Sequence, residues 1–175
     1  QENNHIVIID GASGTVTSHF SAGTVALEGI DAQDDGVLSF SNSLDARPRE
    51  PDAVKWLDSR RLVIANEGDW KGGTRGFTIF NRDGSVSYES GPSFEMHVAR
   101  AGHYPDKRSD AKGVEPEGLE VARFGDDDLI FVLSERGSVV GVYRDTGGEP
   151  EFLQLLPSGI SPEGAVAIPG RNLLA

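Results

Sequence analysis

A short pattern recurs along this chain, and recurrence of that kind constrains the fold more than any single residue. The first copy is Glu50-Pro51-Asp52-Ala53-Val54, followed by Arg61-Leu62-Val63-Ile64-Ala65-Asn66-Glu67-Gly68. The second is Glu115-Pro116-Glu117-Gly118-Leu119-Glu120-Val121-Ala122, followed by Leu129-Ile130-Phe131-Val132-Leu133-Ser134-Glu135-Arg136-Gly137. A third begins at Ser161-Pro162-Glu163-Gly164-Ala165. Each pairs a Pro-acid step at the start of an apolar strand with, in the two longer copies, a Glu closing the next strand. A fixed unit laid down repeatedly is the signature of a repeat architecture.

The spacing gives the unit. Ala53 to Leu57 reads as a strand, Asp58-Ser59-Arg60 as a turn and Arg61 to Asn66 as the return strand. Gly76 to Asn81 is a third strand. Asp83-Gly84 is a hairpin turn, because Gly accepts positive φ and Asp tolerates it, and Ser85 to Tyr88 is a fourth strand. Four antiparallel strands in about 40 residues match one propeller blade. The second copy repeats them at Leu119 to Phe124, Leu129 to Ser134, Ser138 to Arg144 and Glu151 to Leu156, with Asp126-Asp127-Asp128 as a polar hairpin turn.

The chain therefore reads as all-β, part of a β-propeller of four-stranded antiparallel blades, incomplete in itself. Residues 1–49 are expected to hold the outer strands of one blade plus a loop. They include a hairpin from His5 to Phe20, a strand at Thr24 to Leu27 and a short strand at Val37 to Phe40. Residues 50–89 form a blade, 90–114 an inter-blade loop with one or two helical turns at Phe94 to Ala101, 115–157 a second blade, and 158–175 the start of a third. About three blades do not close a ring, so the remaining blades of a longer protein are expected partners.

Net charge is −12, which disfavours nucleic acid and anionic membranes. The absence of cysteine excludes disulfides, zinc–thiolate centres and Cys nucleophiles. No apolar run is long enough to span a bilayer, and Gln1-Glu2-Asn3-Asn4 is not a signal peptide.

In a propeller the first strand lies nearest the axis. Asp52, Glu117 and Glu163 are thus expected at equivalent places around it. Antiparallel pairing should bring Glu67 beside Asp52 and Glu135 beside Glu117. Carboxylates gathered in this way raise each other's pKa or share a cation, and a hard cation such as Ca²⁺ takes oxygen donors. Two plainer readings compete: each carboxylate caps its own turn, or an arginine (Arg136 or Arg75) neutralises the pair. Asp31, Asp34 and Asp35 form a solvated loop with a weaker claim to a cation. Arg75, His103, Arg108 and Lys112 are the bases best placed to hold a phosphate or carboxylate, with scattered surface charge as the alternative. His97 and His103 are candidate general bases. No nucleophile elbow or triad pattern is present.

Glu50 to Val54, Ala65-Asn66-Glu67-Gly68-Asp69, Asp110 to Gly118 and Ser134-Glu135-Arg136-Gly137 together resemble a bacterial β-propeller group described as phytase-like or esterase-like, with choice-of-anchor and alkaline-phosphatase-like members. The resemblance runs from about Asp31 to the end. It implies an exported protein (periplasmic, secreted or cell-surface) and a larger propeller. Through the more distant β-propeller phytases it also implies Ca²⁺ at Asp52, Glu67, Glu117, Glu135 and Glu163, serving hydrolysis of a small phosphate ester. The chain departs from true phytases in lacking their run of paired aspartates and basic phosphate binders. The expectation is thus a possible Ca²⁺-dependent phosphoesterase or esterase. The alternative is a non-catalytic cell-surface propeller that binds a protein or glycan.

Overall fold

A computed structural model describes residues 3–68 and 70–175. The described chain is all-β apart from one short helix and two 3-10 turns. Two four-stranded antiparallel sheets dominate. The first contains β5 (Pro51–Trp56), β6 (Arg61–Asn66), β7 (Phe77–Asn81) and β8 (Val86–Glu89) in that order. The second contains β9 (Pro116–Phe124), β10 (Asp127–Ser134), β11 (Val139–Arg144) and β12 (Glu151–Pro157), again in chain order. Three two-stranded hairpins flank them: β1 (His5–Ile9) with β2 (Val16–Ser21), β3 (Thr24–Ile30) with β4 (Asn42–Pro48), and β13 (Ala167–Ile168) with β14 (Leu173–Leu174). No closed ring of sheets forms among the described residues.

The sheets stack face to face with their first strands adjacent: β5 lies beside β9, and β9 beside β13. Stacking explains the apolar runs of the second strands. In β6, Val63 and Ala65 face the second sheet, while Leu62 and Ile64 face Ile6 and Ile8 of β1. In β10, Ile130 and Val132 face the first sheet. Phe131 and Leu133 face the other way, toward Ala165 and Leu174. A strand buried on both faces has no polar alternation to show.

The helix α1 (Ser93–Arg100) wedges against this stack. Phe94 and Val98 enter the core between the sheets, where Phe77 and Tyr143 meet edge to face. Gly141 allows the fit, since a Cβ there would sit 2.7 Å from the Phe94 ring. His97, a candidate base, stacks on Phe152 with centroids 3.6 Å apart, and burial lowers its pKa. It serves packing.

Three expectations are corrected. Val37 to Phe40 forms no strand; the strand of that region is β4, whose alternating polar residues conceal it. Asp127 and Asp128 belong to β10, and the turn is Gly125-Asp126, with Gly125 at φ 62°. Asp31 is buried rather than solvated. Its carboxylate accepts from Gln33 and Ser39 backbone N–H groups at 3.2 Å each and so ties up its own loop.

Candidate functional site

Each repeat opens with the same backbone feature. Glu50, Glu115 and Ser161, the residues before the three prolines, have φ of 43°, 47° and 52°. A residue before proline is discouraged from the right-handed helical region. The left-handed one costs a non-glycine residue about 1–3 kcal/mol, so the surroundings must hold it there. They do. The Glu50 carbonyl accepts from Gly68 N at 3.2 Å and the Glu115 carbonyl from Glu135 N at 2.9 Å, tying each step to the end of the second strand.

The side chains of these two glutamates complete the anchorage. Glu50 is buried, and its carboxylate accepts from the Trp70 and Lys71 backbone N–H groups at 2.7 and 3.2 Å. Glu115 is buried among bases: Arg108 Nε at 2.5 Å, Arg136 Nε at 3.4 Å and Lys112 Nζ at 3.6 Å. The acid before the proline carried no signal of its own in the sequence; only its repetition at Glu50 and Glu115 could have marked it.

The acids after the prolines form the candidate site. Pro51 pairs with Asn66 and Ala53 with Ala65, so Asp52 is the extra residue of a bulge. Pro116 pairs with Ser134 and Gly118 with Leu133, so Glu117 is the extra residue of the matching bulge. Bulges re-aim a side chain out of the sheet's regular alternation. Burial pushes the Glu117 carboxyl up to about 7, reinforced by the charges of Glu135, Glu67, Asp52 and Glu163. These four and Glu117 are the five carboxylates singled out from the sequence, and they share one electrostatic neighbourhood. Oε2 of Glu117 is buried without a hydrogen-bond partner. Glu135 is also raised, mainly by burial, against the opposing pull of Arg136 and with added repulsion from Glu115 and Glu163.

Arg136 Nε lies 3.0 Å from Glu135, and Lys112 Nζ is ion-paired with Glu67. Among the described residues, Asp69 not being one of them, no three acidic or histidine side chains come close enough to grip one metal ion. The donor set is all oxygen, as Ca²⁺ prefers, and bases neutralise part of it. Among the described residues these oxygens form no preformed cluster for a cation.

Three of the four expected ligand-binding bases are engaged by buried acids. Arg75 is almost fully buried. Its guanidinium donates to the carbonyls of Asp31 (2.7 Å) and Ser109 (2.6 Å) and pairs with buried Glu95 at 3.4 Å. It holds loops to the first sheet and is inaccessible to a ligand; its neighbours in sequence, mostly glycine and threonine, gave no hint of this burial. Arg108 and Lys112 neutralise Glu115 and Glu67. His103 is exposed, with Nδ1 3.0 Å from the Gly137 carbonyl.

Among the described residues no helix is long and apolar enough to cross a membrane. No curated protein and no solved structure matches the chain. The match supports the choice-of-anchor part of the resemblance and lends nothing to its phytase-like or esterase-like part: residues 70–147, from the loop after β6 into the turn after β11, are similar to the family described as Choice-of-anchor I domain.

Proposed function

We propose that this chain is part of an exported, surface-associated β-propeller, and that the acidic face at the start of its first strands binds a partner protein through basic groups. The observation that carries this is the shared electrostatic neighbourhood of Asp52, Glu67, Glu117, Glu135 and Glu163, in which burial, reinforced by the other four charges, pushes the Glu117 carboxyl up to about 7. A positive group brought there relieves the mutual repulsion and lets Glu117 ionise fully. The choice-of-anchor similarity supports export and surface association. Two stacked four-stranded units with adjacent first strands support the propeller. Binding is favoured over phosphate-ester hydrolysis because Arg75, Arg108 and Lys112, the bases such a substrate needs, are engaged by Glu95, Glu115 and Glu67.

Calorimetry with a short oligolysine peptide tests the reading. Saturable binding that weakens with salt, and drops several-fold in Glu117→Gln but not in Asp126→Asn, is the expected result. Equal loss in both variants reduces the effect to net charge and overturns it. Ca²⁺-dependent hydrolysis of a chromogenic phosphate ester, abolished by Glu117→Gln, would replace it with the phosphoesterase reading.

A further inference from the structure

The two sheets differ at the connection between their second and third strands. Residues 135–138 suffice to join β10 to β11, whereas residues 67–76 join β6 to β7. Asn66, which ends β6, pairs with Pro51 at the opening of the repeat. The longer connection is therefore an insertion on the side of the acidic face. Insertions within a repeat gather on one face, often the binding face.

The insertion has a fixed base. The Glu50 carboxylate accepts from the Trp70 and Lys71 backbone N–H groups, and the Glu50 carbonyl from that of Gly68. Glycine permits the chain to cross itself here: a Cβ on Gly68 would sit 1.8 Å from Gly73 N, and one on Gly72 would sit 2.4 Å from the Pro48 carbonyl oxygen. Residues 67, 68 and 72–76 are buried, while Trp70 and Lys71 are exposed. A buried loop thus lifts one indole into solvent, 62% exposed, where it forgoes the stabilisation that burial gives so large a side chain. The ring already attracts a cation: Lys71 Nζ lies 4.3 Å from its centroid.

We infer that Trp70 makes the acidic face selective for arginine. A guanidinium of the partner protein lies on the indole, and the partner's neighbouring basic groups pair with the carboxylates of Asp52, Glu67 and their group. Trp70 is placed for this, since it hangs from Glu50, the residue before Pro51-Asp52, in the loop that Glu67 begins. The chemistry separates the two cations. A guanidinium is planar and weakly hydrated and stacks on an aromatic face, whereas an ammonium is compact and keeps its water. Lys71 is exposed, so an incoming guanidinium can take its place over the ring while the Lys71 ammonium returns to solvent. The inference rests on the proposal that basic groups of a partner bind this face, and adds which basic group is preferred and which residue reads it.

Calorimetry of the 175-residue chain with oligoarginine and oligolysine peptides of equal length tests it. Oligoarginine is expected to bind about threefold or more tightly than oligolysine, and Trp70→Ala, with an unchanged circular dichroism spectrum, to remove most of that preference. A preference equal in the wild type and Trp70→Ala overturns the inference and leaves the acidic-face reading standing. Binding of neither peptide to the wild type removes that reading, and this inference with it. Fluorescence gives a readout on the intact loop should Trp70→Ala fail to fold. The chain has two tryptophans, so in a Trp56→Phe background the emission is that of Trp70. Saturating oligoarginine should change this emission more than saturating oligolysine does; equal responses, or none, overturn the stacking.

Discussion

Asp52 and Glu117 occupy the same place in two successive sheets, each the extra residue of a first-strand bulge immediately after a proline. Equivalent backbone, rather than proximity in sequence, brings their charges into one field. That field adds to burial in raising the Glu117 carboxyl, and the shift can be measured.

The pH dependence of stability is the first consequence. Glu117 and Glu95 are both raised from 4.5 to about 7, each mainly by burial. An acid whose folded pKa is raised binds its proton more tightly folded than unfolded. The stability these two groups contribute is therefore fully present below about 4.5, declines as pH rises toward 7, and is lost above it. Glu117→Gln removes one such term. Solvent screens this part-exposed group, so a gain of about 2–4 °C in Tm at pH 8, corresponding to ~1 kcal/mol, with little change at pH 4.5, is the expected calorimetric result.

Arg75 and Glu95 form a pair with neither side chain exposed. Removing the cation alone strands a buried carboxylate. Arg75→Ala is expected to cost about 3–5 kcal/mol by urea denaturation, and Arg75→Met/Glu95→Met to recover most of it. Equal losses in the two would show that loop anchorage through the Asp31 and Ser109 carbonyls outweighs the charge.

Arg61 of β6 reaches across to Asp145 after β11 with two bonds of 3.0 and 2.6 Å, while also holding Asp58 at 2.8 Å. The bond pair fastens the outer ends of the two sheets. A double-mutant cycle on Arg61 and Asp145 should return a coupling of about 1–3 kcal/mol, above the range of exposed pairs.

Phe94→Ala empties a fully buried site between α1 and β11. A loss of about 3–5 kcal/mol is expected. Gly141→Ala, which forces the same ring to move, should also destabilise, and combining it with Phe94→Ala should cost less than the sum of the two.

The repeat was legible because the central strands β6 and β10 are buried on both faces, and burial of that kind writes an unbroken apolar run. The hairpin at Asp83-Gly84 was legible for a local reason: Gly84 takes φ 89°, which few other residues tolerate. Strand β4 was not legible, since its pairing with β3 leaves mostly polar residues on its faces and no periodic contrast. The five acids were found from their place in the repeat. Their counter-charges were harder to find. Arg136 was anticipated as a neutraliser, but the tie from Lys112 to Glu67 crosses 45 residues of chain that no local pattern connects. Arg75 was read as a ligand-holding base or a neutraliser of the acid pair, because a buried guanidinium differs from an exposed one only in what folds over it.

Strand β6 sends alternate side chains into two separate cores, so neither layer can loosen without disturbing the other. Amide exchange along Leu62 to Ala65 should report the slowest opening event in the molecule, later than any flanking hairpin. A lesion introduced beneath β1 would then be felt at α1, through a single extended segment that works as a beam between two compartments.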